Sequence, residues 1–472
     1  EATSCGRKQP LYRAVNKVPV DRTAYRPSPW AAHLAPTNCH PATQSDTARK
    51  FKDAIDTFES AAPHKPGPDD LEKVKEAFKL LYPMPRTKCR RKSLSEVIRD
   101  VPANTGAGVP LRDEPGGAQG KEIFLKRNSR GEIIGLREEY LGPFRELERQ
   151  VVEGVPPLQA YLASQKDELL PNTKDKMRLI YGEPFFLTLL GNMYFGDAMD
   201  QMKKLDPDYH CAVGVNRYDR DEWHRVVVKD FPNPANGDSR RNDFRQTHGV
   251  LGSFMHHLSE FYDSEHRMAR DSIIALVLLS PRVYNCIAYF LSASLASGSF
   301  ITTIGNSGYT GGIMLASWSI DRKWTVKQAF EDLKLLTYGD DSKAESRTCS
   351  KAVVSDAMVT CFGSRFGMEY VPTDDPSNRF LGGDESGCLE VDTIWDIVRW
   401  TRSATFDDRH SRVASFLLEC YMHGEKFYCE ATATLKAAMS LCDSSYCVAL
   451  PPFSHYEEWR EQASSSSISC YS

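Results

Sequence analysis

Apolar residues recur at three- and four-residue spacing in several stretches, the mark of helices with one buried face. Thr47 to about Ala61 (TARKFKDAIDTFESA) shows this spacing, and Asp69–Leu81 shows it again. A long charged helix is predicted over Arg137–Val152, with further helices near Met193–Met202, Leu251–Tyr262, Ser272–Leu279, Gly311–Trp318 and Val326–Leu333. Short runs of apolar and β-branched residues predict strands instead. These lie near Glu122–Lys126, at Arg225–Val228 running into Asp230, and at Leu335–Tyr338 entering a tight turn at Gly339-Asp340-Asp341. The first 45 residues are rich in Pro and Arg and lack periodicity, which predicts an extended arm lying on a folded body. A Gly/Pro-rich loop spans Asn104–Gly120. The last hundred residues read mostly as helix, and the serine run Ser464–Ser467 opens a tail expected to be disordered.

The bulk numbers narrow the classes. With 472 residues, 41% hydrophobic and 26% charged, the chain suits a multi-lobed soluble body. No run of about 18 apolar residues is present, so no transmembrane helix is expected. The 13 cysteines are odd in number and form no CxxC pair, which excludes a zinc ribbon or a disulfide framework and fits reduced, cytosolic thiols. A net charge of −4 argues against a general nucleic-acid coat, yet it allows an enzyme with basic residues lining an internal channel. The basic run Arg86–Lys92 reads either as a solvated face or as an RNA contact. Glu1 is neither a start methionine nor part of a signal core, which fits release from a larger precursor or a boundary without biological meaning.

Three strings carry chemistry. Adjacent carboxylates at Asp340 and Asp341 repel unless a cation sits between them, and Gly339 permits the turn that aims them at one point. Magnesium favours such carboxylates together with substrate phosphates. Upstream, Ser297-Gly298 forms a flexible turn before an apolar stretch with Thr302 and Asn306 four residues apart. On a helix that pair shares a face, and it could read a ribose hydroxyl. Further upstream, Lys166, Lys174, Lys176 and Arg178 provide cations at spacings that could clamp a triphosphate.

In this order the strings resemble the motifs of viral RNA-dependent RNA polymerases, most closely the picornavirus-like group. Tyr25–Pro29 is similar to the group's Pro-Ser-Pro segment, and Thr105–Leu111 resembles the template-guiding loop called motif G, with Thr105, Gly106 and Gly108 as implied template contacts. Lys166–Arg178 resembles motif F, Val213–Trp223 the approach to motif A, Ser297–Ser307 motif B, Tyr338–Asp341 motif C, and Leu389–Arg402 the start of the thumb. The resemblance implies an α+β closed right hand with fingers, a palm of antiparallel sheet plus helices, and a mostly helical thumb. Its implied domain limits are 1–215 for arm and fingers, 216–265 for a palm segment with motif A, and 266–310 for the fingers return and motif B loop. Residues 311–378 would be palm with motifs C and D, and 379–472 thumb and tail.

The implied reaction is replication of a positive-strand RNA genome by two-metal nucleotidyl transfer from ribonucleoside triphosphates, with Mg²⁺ as cofactor and Mn²⁺ able to substitute. Asp230, Asp340 and Asp341 are the implied catalytic and metal-binding residues; Lys166, Lys176, Arg178, Asp238, Ser297, Gly298, Thr302 and Asn306 are the implied nucleotide-binding ones. Expected partners are RNA template and primer, a small protein primer and other viral replication proteins. Expected location is the host cytoplasm, in membrane-associated complexes reached through partners. The rival readings are a polymerase-fold RNA-binding scaffold with impaired catalysis and a template-independent terminal nucleotidyltransferase.

Three places depart from the pattern. Motif A normally spaces two aspartates five residues apart. Asp230 follows the strand-like Val226–Lys229 but has Ala235 at the second position, whereas Asp238 and Asp243 have the spacing but no apolar strand before them. Asp230 is preferred as the ligand, with Asp238 replacing the second aspartate through a local insertion. Asp375 stands where motif D commonly has lysine, and Phe380-Leu381-Gly382-Gly383 lacks the cations usual in motif E.

Overall fold

The computed structural model describes residues 24–36, 38–42, 66–117, 120–173, 178–203, 210–240, 242–284, 287–291, 294–373, 378–402, 406–442 and 448–458. The expected helix at Thr47–Ala61, Lys174, Lys176, Asp375 and the serine tail lie outside these residues.

In chain order, the N-terminal third holds β1 (Arg26–Pro27), β2 (Cys39–Pro41), α1 (Pro68–Leu81), α2 (Leu94–Arg99), β3 (Leu125–Arg127), β4 (Ile133–Leu136) and α3 (Glu138–Val152). The middle holds β5 (Tyr161–Gln165), β6 (Leu169–Pro171), β7 (Leu179–Gly182), α4 (Phe185–Met202), α5 (Arg220–Trp223), β8 (Ala235–Arg240), α6 (Asn242–Arg245), α7 (His248–Ser259), α8 (Arg267–Leu279), β9 (Arg282–Tyr284) and β10 (Ile287–Tyr289). The last part holds α9 (Thr302–Arg322), α10 (Val326–Asp332), β11 (Leu333–Tyr338), β12 (Asp341–Ser346), α11 (Lys351–Phe366), β13 (Glu369–Thr373), α12 (Val391–Arg399), β14 (Trp400–Thr401), α13 (Phe406–Met422) and α14 (Glu425–Ser440).

The central sheet has the order β11-β12-β8-β13, antiparallel throughout. Helices α9 and α11 pack on its back, and α1 packs on α9 in turn. Residues on these helices and strands, including Phe78, Phe254, Ile313, Leu335 and Phe362, form the largest apolar core. A second sheet has the order β10-β9-β5-β7; it joins strands far apart in sequence, since β9 pairs in parallel with β5, Tyr161 against Arg282. The three C-terminal helices close around their own core of Ile394, Val398, Phe416, Leu417 and Leu435.

The arm reaches that helical core. Trp30 is buried within it and donates Nε1–H to the Val398 carbonyl at 2.7 Å. Strand β1 pairs with β14, while β2 pairs with β6 in a separate two-stranded ribbon. Asp167, just before β6, accepts from Arg402 at 3.1 Å and from the Ala24 N–H at 3.0 Å. One short arm therefore bridges the two ends of the hand.

One expected element is corrected. Arg225–Val228 is not a strand: His224–Val228 is a π-helical turn, closed by Lys229 N–H donating to the His224 carbonyl. Asp219 starts the helical path by accepting from the Asp221 and Glu222 N–H groups, so the valines enter already coiled. Trp223, Val227 and Phe231, four apart, bury one face into a small core with Leu336 and Phe380. Helical spacing outweighs the β preference of the valine run.

Candidate active site

The hairpin β11–β12 presents the paired carboxylates. Tyr338 pairs with Asp341 across a two-residue turn, and Gly339 at its first central position has φ 64°. That is the turn geometry whose twist matches paired strands. Helix α9 fixes the turn from behind. The Gly339 N–H donates to the Ser307 hydroxyl at 2.8 Å, and the Thr310 hydroxyl donates to the Gly339 carbonyl at 3.0 Å. The Thr337 hydroxyl donates to the Ser307 carbonyl at 3.1 Å, so successive turns of α9 hold the end of β11 and the turn.

Strand β8 carries Asp238 to the hairpin. Asp238 pairs directly with Asp341 across the β12–β8 ladder, which puts their Cα atoms about 5 Å apart. Asp340 caps the same end, its carbonyl accepting from the Ser239 N–H. Asp230 is elsewhere. It lies past the π-helical turn, 55% exposed, with its carboxylate 3.9 Å from Lys334 Nζ. Lys334 is four residues before Tyr338 on β11, about 13 Å down the strand from the carboxylate turn. The structure therefore places Asp238, and not the preferred Asp230, beside the Asp340–Asp341 pair. The reason lies in local structure: the strand before Asp230 does not exist, and the strand containing Asp238 is Ala-Asn-Gly-Asp-Ser-Arg. Gly237 is required there, because a Cβ at this position would lie 2.1 Å from the Tyr370 ring. Asp243, the second residue of the alternative register, falls in α6 immediately after β8.

The electrostatics fit a cation site. Asp341 is pushed up to about 7, first by burial and then by the nearby Asp340 and Asp238 carboxylates. Crowded anions of this kind are relieved by a hard divalent cation. Among the described residues no three Asp, Glu, His or Cys side chains are gathered closely enough to hold a metal by themselves. Magnesium commonly takes one or two carboxylates plus substrate phosphates, so this donor set suits it.

The second sheet brings together two of the sequence-marked cations. Lys166 and Arg178 face each other where β5 and β7 part, with the Lys166 N–H donating to the Arg178 carbonyl at 2.8 Å. Their side chains sit 3.7 and 3.2 Å from the Glu168 carboxylate and stay about half exposed. The Ser297-Gly298 loop lies against the end of β7. Tyr181 N–H donates to the Ser297 hydroxyl at 3.1 Å, and Gly182 bridges Gly298. A Cβ on Gly298 would come within 2.1 Å of the Tyr181 carbonyl oxygen. Thr302 spends its hydroxyl within the loop, donating to the Ala296 carbonyl at 2.6 Å. Asn306, one turn later on α9, accepts from Gln246 Nε2 at 2.7 Å. The basic run Arg86–Lys92 is largely committed to protein carboxylates, with Arg90 on Glu96, Arg91 on Glu148 and Lys92 on Asp200.

In the template-loop region, Thr105 donates to the Pro102 carbonyl and accepts from Lys121 Nζ at 2.7 Å, while Gly106 stands in open space. The cation-poor segment Phe380–Gly383 is a tight turn bonded Phe380 to Gly383 in both directions. Lys343, two residues after Asp341, is buried with Nζ 5.9 Å from the Phe380 ring centroid and donates to the Val227 carbonyl at 3.2 Å. Sequence reasoning did not single out Lys343, Ser307, Thr310 or Gln246. Of these only Ser307 and Thr310 carry a legible signal, polar groups at helical spacing after Asn306 on an otherwise apolar helix.

A carboxylate hairpin on an antiparallel sheet, backed by a small-residue helix, with cations at the ends of a second sheet, defines a right-hand nucleic-acid polymerase. The chain belongs to the viral RNA-dependent RNA polymerase family, whose model matches residues 41–439. The solved structure of a Sicinivirus 3Dpol RNA-dependent RNA polymerase superposes with a TM-score of 0.74 at 19% identity, covering 94% of this chain and 96% of that one. The genome polyprotein of Rice tungro spherical virus (strain Vt6) is 23% identical over 76% of the chain, and that of Deformed wing virus 22% identical over 61%. The chain spans about a tenth of the length of these polyproteins, 11% in each case.

Proposed function

We propose that this polymerase extends an RNA primer on an RNA template, taking nucleotidyl units from ribonucleoside triphosphates to copy a positive-strand viral genome. The observation that carries the reading is the pairing of Asp238 with Asp341 beside Asp340 at the hairpin. In this reading Asp238 and Asp340, assisted by Asp341, hold Mg²⁺, with Mn²⁺ able to substitute. When bound, the two ions lower the barrier by activating the primer 3′-hydroxyl and steadying charge on the departing pyrophosphate. Lys166 and Arg178, joined by Lys176, offset triphosphate charge in front of the hairpin. The Ser297-Gly298 loop seats the nucleotide, Thr302 shapes that loop, and Asn306 with Gln246 reads the ribose 2′-hydroxyl. Thr105, Gly106 and Gly108 guide the template.

The corresponding partition assigns 1–215 and 266–310 to arm and fingers, 216–265 and 311–378 to the palm, and 379–472 to the thumb. Relatives are polyproteins, which supports other viral replication proteins as partners, a small protein primer among them, in the host cytoplasm. No helix of the described residues is long and apolar enough to cross a membrane, so attachment to membrane complexes would run through those partners.

The test is incorporation of labelled ribonucleotide on a primed RNA template with Mg²⁺. Asp238→Asn and Asp340→Asn are expected to lower the rate by about a thousandfold or more, as loss of transition-state charge stabilisation does. Asp230→Asn should stay within about threefold, as an exposed position away from the site. Equal loss at Asp230 and Asp238 would refute the register. Incorporation that ignores the template sequence would favour a terminal transferase. A folded natural chain inert with both metals would favour the RNA-binding scaffold.

A further inference from the structure

Glu183 lies just past β7 and is 4% exposed. Four donors converge on its carboxylate. Oε1 accepts from the Tyr161 hydroxyl at 2.8 Å and the Ser299 hydroxyl at 3.0 Å. Oε2 accepts from the Thr188 hydroxyl at 2.8 Å and the Phe300 N–H at 3.0 Å. An ionised carboxylate has about four lone-pair positions and no proton to offer, so this set fills it.

Two of the four donors belong to the loop that begins at Ser297. The chain at 181–183 runs beside 297–300 as a short zipper: Tyr181 on Ser297, Gly182 on Gly298, Glu183 on Ser299 and Phe300. Ser297 and Gly298 are the exposed end of that zipper and Glu183 is its buried end. The same short segment also meets the template-side loop. Phe185 N–H donates to the Ala107 carbonyl at 2.9 Å, and a Cβ on Gly108 would lie 2.3 Å from the Glu183 carbonyl oxygen. Lys121, 7% exposed, bonds Thr105 and interacts electrostatically with Glu183.

We infer that Glu183 is a positioning residue that latches the Ser297-Gly298 nucleotide loop to the end of β7 and ties it to the template loop at 105–108. The inference rests on the polymerase reading for its consequence, nucleotide selection, but the latch itself is a property of the fold. A loop held at one end by a filled carboxylate can present its exposed Ser-Gly end in one arrangement. Loosening the latch gives the loop several arrangements, and a nucleotide then binds only the competent fraction. The predicted effect falls on nucleotide affinity and sugar choice rather than on the chemical step.

The experiment uses the full chain with three variants. Glu183→Gln keeps the volume, replaces charge-assisted bonds with neutral ones, and sets an NH₂ against either the Ser299–Tyr161 hydroxyls or the Phe300 N–H. Ser299→Ala removes one loop bond while leaving the carboxylate three partners, and the double variant combines them. Steady-state incorporation should show KM for ribonucleotide raised about tenfold in Glu183→Gln, with kcat within about threefold, and a reduced preference over deoxyribonucleotide. The double variant should fall short of the sum of the singles, since both break one connection, and full additivity would overturn the shared latch. A purely structural role would lower the active fraction and kcat and leave KM and sugar preference unchanged, which would overturn the inference. Hydrogen exchange at the Phe300 amide, measured without substrate, tests the latch apart from catalysis. It should speed up in Glu183→Gln and in Ser299→Ala, and unchanged exchange in both would overturn the latch. A natural chain that incorporates nothing would sink the polymerase reading, and the Phe300 exchange would still decide the latch. Should Glu183→Gln fail to fold, Ser299→Ala carries both measurements.

Discussion

Removing Glu419 should loosen the C-terminal helices from the segment at 217–218 that leads into α5, and the size of the effect can be worked from its contacts. Glu419 on α13 is 4% exposed. It accepts from both terminal nitrogens of Arg217, at 2.9 and 2.5 Å, and from the Tyr218 hydroxyl at 2.6 Å. Arg217 also donates to the Gly387 carbonyl at 2.9 Å, and its side chain is 16% exposed. Glu419→Leu fills the space but leaves a mostly buried guanidinium with only neutral partners, the Gly387 carbonyl and the Tyr218 hydroxyl. Breaking a buried pair this way costs about 3–5 kcal/mol, and the partial solvent access of Arg217 favours the low end, about 3 kcal/mol. A chain of this size need not unfold in one step, so the readout should be local. Amide exchange at Gly387 and along Phe416–Glu419 should accelerate by about a hundredfold, the equivalent of about 3 kcal/mol. Arg217→Met combined with Glu419→Leu should recover most of the loss, because no unpaired charge is left behind. Exchange that stays unchanged in Glu419→Leu, or a double variant as loose as the sum of the singles, would refute the argument.

Two further outcomes follow from packing and from burial of a titrating group. Gly237→Ala puts a Cβ 2.1 Å from the Tyr370 ring, and forcing that ring aside should cost about 1–3 kcal/mol in urea unfolding and lower incorporation by moving Asp238; Gly237→Ala with Tyr370→Leu should regain stability. His257 is buried with Nε2 2.7 Å from the Tyr82 carbonyl, and burial lowers its pKa against the opposing pull of that carbonyl and Glu260. The unfolded chain therefore takes up a proton below about pH 6.5 that the folded chain resists, so stability should fall as pH drops from there, and His257→Gln should flatten that slope.

How far the site could be read in advance depends on where local and tertiary preferences agree. The carboxylate hairpin was legible because Leu335–Tyr338 has strand character, Gly339 suits the turn, and burial of Leu335 and Thr337 confirms the same register. Helix α9 was legible in its Thr302–Asn306 spacing, although its reason for carrying so many small residues lies in neighbours remote in sequence, such as Phe78 and Phe254. Strand β8 was not legible as a strand. Ala235–Arg240 has no β-branched or aromatic residue, and each residue is there for a tertiary reason: Asn236 bonds Asn378, Gly237 clears Tyr370, and Asp238 faces Asp341. Its strand state comes from β12 and β13 on either side, which supply backbone partners along its length. The valine run nearby has the stronger intrinsic strand signal, yet no neighbouring strand takes it up, and Trp223, Val227 and Phe231 draw it into a coil. Propensity is a weak vote wherever a chain is flanked on both sides by partners already in place. An aspartate that must stand opposite the hairpin needs such a strand, since rigid neighbours rather than its own sequence hold it there.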